Sequence, residues 1–249
     1  MPPQFTLAQI SDCHLFADKA KDGHAGINPY QSLQQVLFEL SKQKPDKVLV
    51  TGDISGDYSE QSYIHFTRLW QESRITAPLV ALPGNHDNIE VWNRYFGHKN
   101  AYLYIPLHFG HWHLHALPSD FKGGKGLLQR DATEQLFANI KASYSDHHIV
   151  ALHHPLTLSG VWMDKHHLLN PQLLTRHMPA ANLRCILHGH VHTERRVIVH
   201  KTPVLACPST CWQWGNSVDF SLSEQAPGFR TIKLNQDGQF STATHYLRH

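Results

Sequence analysis

The chain has 249 residues, 41% of them hydrophobic and 17% charged, and this balance is typical of a folded protein rather than a disordered one. The formal net charge of +2 has no basic cluster behind it, which argues against nucleic-acid binding, and no apolar run approaches the ~20 residues of a membrane helix. An N-terminus unlike a signal sequence and four cysteines without CxxC spacing predict a cytoplasmic protein with reduced thiols and no membrane attachment.

The first half of the chain alternates between predicted strands and predicted helices. Short apolar runs typical of buried strands lie at residues 5–10, 47–51 and 77–81. Apolar residues recur at helical spacing in residues 28–42, 59–72 and 89–96, and the first of these helices has Asn28 as its N-cap and Pro29 at its first position. This order predicts a mainly parallel sheet with crossover helices.

The second half contains more strands than helices. A hairpin joined at Gly110 is predicted over residues 101–117, and a capping box from Asp131 to Glu134 predicts the start of a helix. Strands are predicted at 148–152 and 183–187, with a short helix at 171–177 between them, and further strands at 195–200, 203–206, 228–234 and 239–246. We expect one domain over residues 1–249, built from two sheets with helices outside.

Five predicted strands end directly before residues that bind metals, and histidine is abundant, with 22 copies. The residues are Asp12, His14, Asp53, Asn85, His153, His190 and His192. Sites in open α/β sheets lie at the carboxyl ends of strands. Residues two apart on extended backbone point the same way, which would direct Asp12 and His14 into one cavity. Nitrogen and oxygen ligands in this number suit two ions held roughly 3.5–4 Å apart by a bridging carboxylate.

The motifs appear in an order that resembles the calcineurin-like metallophosphoesterases. They are Asp-x-His at 12–14, Gly-Asp at 52–53, Gly-Asn-His-Asp at 84–87, His-x-Pro at 153–155 and Gly-His-x-His at 189–192. Residues 26–28, 159–166, 208–211 and 226–230 are similar to the bacterial 3′,5′-cyclic AMP phosphodiesterase branch of that family. The resemblance implies a four-layer αββα sandwich of two mixed sheets, with a dinuclear metal site at the carboxyl ends of the strands.

The resemblance also implies roles for individual residues. One ion takes Asp12, His14 and His192, the other takes Asn85, His153 and His190, and Asp53 bridges them. His86 is the catalytic histidine, and His14, Asn85, His86 and His192 contact the substrate. The ions are iron or manganese, with zinc as an alternative. A hydroxide bridging the ions attacks phosphorus, protonated His86 assists the leaving oxygen, and 3′,5′-cyclic AMP yields the 5′-monophosphate. Asp87 helps to fix either the loop or the imidazole.

Several alternatives stay open from the sequence. The substrate could be another phosphodiester, a phosphomonoester or a pyrophosphate, or the chain could be an inactive binding module. A homodimer is also left open. Loops 121–130 and 157–170 are expected to decide the substrate, but their residues predict no particular ligand. Trp162, Trp212 and Trp214 could stack on a base or pack in a core or interface.

Other histidines are predicted to lie outside the metal site. His111, His113 and His115 share one face of a strand without an apparent acidic partner, which favours an ordinary half-exposed face. His188 is expected to be structural, and His154 at most supports the ligands.

Overall fold

The computed structural model describes residues 5–97, 106–119 and 122–248. The strands are β1 Phe5–Ile10, β2 Lys47–Thr51, β3 Leu79–Leu82, β4 Leu107–Phe109, β5 Trp112–Ala116, β6 His147–Ala151, β7 Leu183–His188, β8 Arg195–Val199, β9 Thr202–Ala206, β10 Gln213–Trp214, β11 Leu222–Ser223, β12 Gly228–Leu234 and β13 Phe240–Tyr246. The α-helices are α1 Pro29–Ser41, α2 Glu60–Glu72, α3 Ile89–Phe96, α4 Arg130–Ala142 and α5 Gln172–Thr175. Single 3₁₀ turns include Lys122–Gly124 and Trp162–His166.

The strands form two large mixed sheets and a small ribbon. The first sheet has the order β13-β12-β1-β2-β3, and β1, β2 and β3 run parallel. The second has the order β4-β5-β6-β7-β9-β8, with β5, β6, β7 and β9 parallel and antiparallel strands at its edges. The ribbon of β10 and β11 was not predicted from the sequence. Parallel pairing brings the carboxyl ends of β1, β2 and β3 to one edge, and those of β6 and β7 likewise.

The apolar core has three layers, which lie between the four layers of helices and sheets. Side chains of the two sheets meet in the middle, where Leu7 and Leu49 pack in one cluster with Leu114 and Ile149. The other face of the first sheet packs against α1, α2 and α3, and the other face of the second packs against α4 and α5. Both faces of the central strands are therefore buried, which explains their continuous apolar runs. The predicted αββα arrangement is confirmed.

Helix starts agree with the sequence in two cases and differ in one. Asn28 caps α1 by accepting from the Gln31 N–H at 3.0 Å, and Ser59 caps α2. The predicted capping box at Asp131 is wrong, because α4 begins at Arg130 after an N-cap, Gln129, that makes no side-chain capping bond. Asp131 instead lies in the first turn, where a carboxylate stabilises the helix dipole.

Glycines with positive φ join two pairs of antiparallel strands, the first of them at the predicted turn. Gly110, between β4 and β5, has φ +60, and Gly238, between β12 and β13, has φ +81. The part of the predicted hairpin at residues 101–105 lies outside the described residues. Within the described ranges, no helix has the length and apolar character needed to cross a membrane. The cysteines, all four of which are described, are buried and free, as predicted.

The histidine row on β5 differs from its prediction. His113 and His115 are buried, and Asp146 is the acidic partner that the sequence did not reveal. Its carboxylate lies 2.8 Å from His113 Nε2 and 3.0 Å from His111 Nδ1. The pairing was not visible in the sequence because Asp146 precedes β6 and reaches β5 only through the parallel pairing of the two strands.

Because His115 is buried, we expect the free energy of unfolding to depend on pH. Burial, with His148 nearby, lowers the pKa of His115 to about 3, whereas the unfolded chain has an ordinary histidine pKa near ~6.5. The unfolded state therefore binds more protons between these values, and stability falls as the pH drops below ~6.5. When the pH is lowered from 7.5 to 5.0, the free energy of unfolding is expected to fall in the unsubstituted chain and in His115→Gln. We expect the fall to be about 2 kcal/mol smaller in His115→Gln.

Urea unfolding at the two pH values measures this difference. His200→Gln, which changes an exposed histidine, serves as the matched control and is expected to follow the unsubstituted chain. An equal loss of stability in His115→Gln and in the unsubstituted chain would show that His115 does not resist protonation in the fold.

Candidate metal centre

The seven predicted ligands come together where the strands of both sheets end. Asp53 Oδ2 lies 3.6 Å from His14 Nε2 and 3.4 Å from His153 Nε2. On one side of it, His14 Nε2 is 3.0 Å from His192 Nε2, which is 3.4 Å from Asp12 Oδ1. On the other side, three remaining donors are close together. His153 Nε2 is 3.0 Å from Asn85 Oδ1 and 3.2 Å from His190 Nδ1.

The backbone that presents these side chains is left-handed, not extended. The φ angles are +55 at Asp12, +45 at His14, +56 at Asp53, +69 at His190 and +44 at His192. The expectation that strand alternation aligns residues two apart is therefore wrong, because these residues lie beyond the ends of β1, β2 and β7. Each such conformation costs roughly 1–3 kcal/mol and persists only where the surroundings hold it.

Hydrogen bonds between the loops hold this strained backbone. The Asp12 N–H donates to Gly52 O and the His14 N–H to Asp53 O, both at 3.0 Å. The His190 N–H donates to the Asp12 carboxylate at 3.0 Å. The loops after β1 and β2 are thereby joined to each other, and the loop after β7 is joined to the first of them.

Carbonyl groups orient two of the histidines toward the centre. His153 Nδ1–H donates to Thr51 O at 2.7 Å, and His192 Nδ1–H donates to Trp212 O at 3.0 Å. Each bond directs Nε2 at the other donors, which is the usual support for a metal-binding imidazole. His190 Nε2 is buried and has no hydrogen-bond partner among the described residues. The donor atoms of Asp12, His14 and His192 lie within 4.8 Å of one another, as do those of Asp12, Asp53 and His153, and this set fits a pair of cations.

The charges of the centre also favour cation binding. Burial raises the pKa of Asp12, but its histidine neighbours, His192 foremost, together outweigh burial and hold that pKa below its ordinary value. Burial is likewise outweighed at Asp53, mainly by His153, so the Asp53 pKa lies well below its ordinary value. Burial lowers the pKa of His14 to about 3. At His153, burial is outweighed by the carboxylates, Asp53 foremost, which raise the pKa to about 10. Metals require ionised carboxylates and neutral imidazoles, so cations bound here would displace the His153 proton.

Asp87 fixes the loop rather than the His86 imidazole. Its carboxylate accepts from the Gly84 N–H at 2.9 Å, the Ser55 N–H at 3.1 Å and the Tyr63 hydroxyl at 2.9 Å. The His86 N–H donates to Asp53 Oδ1 at 2.8 Å, and its ring lies edge-on to His14, with centroids 4.9 Å apart. His86 is therefore held by its backbone and by ring packing.

Two glycines allow the loops to approach each other. A Cβ on Gly84 would overlap the Asp53 carboxylate and lie 2.5 Å from Asp53 N. A Cβ on Gly189 would overlap Ser11 Oγ and lie 2.8 Å from Asp12 Oδ2. Both positions require glycine because a larger side chain would displace Asp53 or Asp12, which are predicted ligands.

We expect Gly84→Ala to lower the phosphodiesterase activity predicted from the sequence by at least about tenfold, since an added methyl group displaces the Asp53 carboxylate or the loop, and a small misplacement is costly in catalysis. Circular dichroism should show an intact fold. Gly97→Ala is the matched control, because its Cβ would lie 3.3 Å from a side-chain atom of Asn93, away from the centre. Full activity in Gly84→Ala would show that Asp53 does not depend on this contact.

A cavity of about 340 Å³ opens over the candidate metal centre. The ligand-bearing loops contribute His14, Asp53, Asn85, His190 and His192, and other parts of the chain contribute Tyr58, His86, Gly123, Gly124, Trp162, Met163, His166 and Trp214. The sequence did not single out Tyr58, Met163 or His166 as individual residues. Tyr58 has φ +61, a conformation without a sequence signal in this chain. Among the described residues that line a larger cavity of 510 Å³ near Trp70, Lys47 is the single charged one, and they offer no comparable donor set.

His154 supports the cavity wall from behind. It is buried next to the predicted ligand His153. Its Nδ1 lies 3.0 Å from Ser119 Oγ, and its Nε2–H donates to Gly124 O at 3.2 Å. His154 therefore connects the end of β6 with the loop that contains Gly123 and Gly124.

The structure and the sequence together define the class of this protein. Residues 5–194 match the family described as Calcineurin-like phosphoesterase. The chain belongs to the calcineurin-like phosphoesterase family and is a metallophosphoesterase, as predicted.

Two relatives are similar in sequence to nearly the whole chain. The chain is 36% identical over 244 residues to the 3′,5′-cyclic adenosine monophosphate phosphodiesterase CpdA of Pseudomonas aeruginosa, covering 95% of this chain and 88% of that protein. It is 32% identical over 247 residues to the protein of the same name from Haemophilus influenzae, covering 96% and 89%.

Solved structures show the same fold. A dimetal phosphatase from Danio rerio superposes with a TM-score of 0.70 at 11% identity, covering all of both chains. TT1561 of Thermus thermophilus superposes with a TM-score of 0.63 at 12% identity, covering 99% of this chain and all of that one.

Proposed function

We propose that this protein hydrolyses 3′,5′-cyclic AMP to the 5′-monophosphate at a centre of two metal ions. The observation that carries the proposal is the convergence of the other six predicted donors around Asp53, whose Oδ2 lies within 3.6 Å of a donor on either side. The relatives named above, which cover nearly the whole chain, support cyclic AMP as the substrate.

The proposed ligand assignment follows the two groups of donors. Asp12, His14 and His192 hold one ion, Asn85, His153 and His190 hold the other, and Asp53 holds both. Iron or manganese suits this set of nitrogen and oxygen donors, which contains no thiolate, and zinc is the alternative. Two bound cations supply an activated water and stabilise negative charge on the phosphate oxygens.

The protein's own residues then orient the substrate and move a proton. His86 borders the cavity beside His14, and as an imidazolium it donates a proton to O3′ as that oxygen leaves phosphorus. Asn85 Oδ1 faces His153, and the Nδ2–H group of Asn85 would donate to a phosphate oxygen. His14 and His192 also border the substrate. We propose in addition that residues 1–249 form one domain acting in the cytoplasm on a small cyclic nucleotide; association into a homodimer is left to measurement.

The test is hydrolysis by the purified protein after metal analysis. With Mn²⁺ or Fe²⁺ added, we expect turnover of cyclic AMP to 5′-AMP, and near-complete loss of it in Asn85→Ala. Asn93→Ala, which changes an exposed asparagine on α3, is the matched control. If only bis-p-nitrophenyl phosphate is cleaved, in an Asn85-dependent way, the centre stands and the substrate is another phosphoester. Metal-loaded protein that cleaves no phosphoester would contradict the proposal altogether.

A further inference from the structure

An aromatic wall, formed by Trp162, Trp214 and Phe220, borders the candidate metal centre on the side of His192. The Trp214 ring stacks on the His192 ring, with centroids 4.7 Å apart and planes at 20°. Trp162 lies edge-on to Trp214 at 5.1 Å, and Phe220 lies 5.0 Å from Trp162. Both tryptophans are half-buried and line the 340 Å³ cavity. A group bound beside His192 therefore lies next to indole rings.

A hydrogen bond connects the two segments of the wall, which are distant in sequence. The Trp162 N–H donates to Ser217 O at 3.0 Å and so joins the 159–166 segment to the β10–β11 ribbon. Within the first segment, Asp164 accepts from the Ser159 N–H at 2.8 Å and from the Gly160 N–H at 2.6 Å. Ordering the rings before a ligand arrives lowers the entropy cost of binding.

Burial and position distinguish two of the tryptophans from the third. Trp162 and Trp214 are half-buried and line the cavity, whereas Trp212 is buried and stacks on His14 at 5.3 Å without lining it. The indole Nε1 atoms of all three are buried without a hydrogen-bond partner among the described residues. The three tryptophans left open by the sequence thus divide into one packing residue and two cavity residues.

We propose that the aromatic wall is the nucleobase subsite: the base of a cyclic nucleotide stacks on Trp214 and Trp162 while its phosphate lies at the metal centre. This inference rests on the proposed function, which it deepens. Stacking of a base on an aromatic side chain contributes about 1–3 kcal/mol. Tyr58 is the competing ring, since it stacks on His86 at 5.8 Å. It is a single ring that is 52% exposed, whereas the wall places two half-buried tryptophans side by side.

The test compares two inhibitors that differ only in the base. 5′-AMP and ribose 5-phosphate are used to inhibit cleavage of bis-p-nitrophenyl phosphate by the metal-loaded protein, and the ratio of their inhibition constants measures the contribution of adenine. We expect 5′-AMP to bind at least about tenfold more tightly. The ratio should fall below about threefold in Trp214→Leu and in Trp162→Leu, because the stacking surface is lost.

Matched variants separate stacking from folding. Trp70→Leu removes a half-buried tryptophan that borders a different cavity and should keep the full ratio. Trp214→Phe retains a ring and should keep most of it. Quenching of tryptophan fluorescence by 5′-AMP, but not by ribose 5-phosphate, provides a readout that does not depend on turnover. That quenching should disappear in Trp214→Leu.

The outcomes distinguish this inference from the proposed function. An unchanged ratio in both leucine variants, or loss of the ratio in Tyr58→Leu alone, overturns the subsite even if cyclic AMP is hydrolysed. A ratio that depends on the aromatic wall supports the subsite even if cyclic AMP is not turned over. If no diester is cleaved at all, the fluorescence titrations decide whether the base binds at the aromatic wall.

Discussion

Replacement of His86 by glutamine is expected to lower kcat for 3′,5′-cyclic AMP by about 10²–10⁴-fold, the usual contribution of a general acid. The O3′ alkoxide is a poor leaving group and needs a proton, whereas p-nitrophenolate leaves readily without one. We therefore expect a much smaller loss on bis-p-nitrophenyl phosphate. Metal content should stay unchanged, because the proposed ligand set does not include His86.

Steady-state kinetics on both substrates, together with metal analysis, test this prediction. His200→Gln controls for the loss of a histidine at an exposed position. Equal losses on the two substrates would assign His86 to phosphate binding instead of proton donation. A loss of bound metal would mean that the contact between His86 and His14 holds the ligand loop in place.

Replacement of Asp53 by asparagine is expected to lower kcat/KM by at least about 10³-fold, since bound cations supply several kcal/mol of transition-state stabilisation. Asp53 is central for three reasons. Its Oδ2 lies between His14 and His153, its Oδ1 accepts from the His86 N–H at 2.8 Å, and its negative charge would be shared by both ions. We therefore also expect metal content to fall below one ion per chain in the variant.

Metal analysis after gel filtration and assays with added Mn²⁺ measure both effects. Asp57→Asn is the matched control. Asp57 lies four residues further on, and its carboxylate accepts from the Ala17 N–H at 2.8 Å and from the Ser59 hydroxyl at 2.6 Å. Asp57 therefore stabilises the loop and lies outside the centre. If Asp53→Asn retained two ions and full activity, the bridging role would be excluded.

The sequence predicted the parts of the fold that depend on local chemistry. Asn28 and Ser59 begin helices because their side chains accept from backbone N–H groups only a few residues away. Apolar runs predicted the central strands, since both of their faces are buried. Metal-binding residue types directly after five of these strands predicted which side chains come together, because parallel pairing brings the ends of such strands to one edge.

The tertiary structure alone decided how those side chains are presented. The left-handed backbone at Asp12 and His190 depends on hydrogen bonds between loops that are far apart in sequence. Likewise, Asp87 bonds to Ser55 and Tyr63, Asp146 pairs with His113, and Trp162 bonds to Ser217. No local pattern encodes such contacts, since each partner is brought near only when the sheets and loops have folded. The sequence by itself therefore determined the ligand types of the centre, whereas the backbone strain, the aromatic wall and the role of Asp87 arise from packing between distant segments.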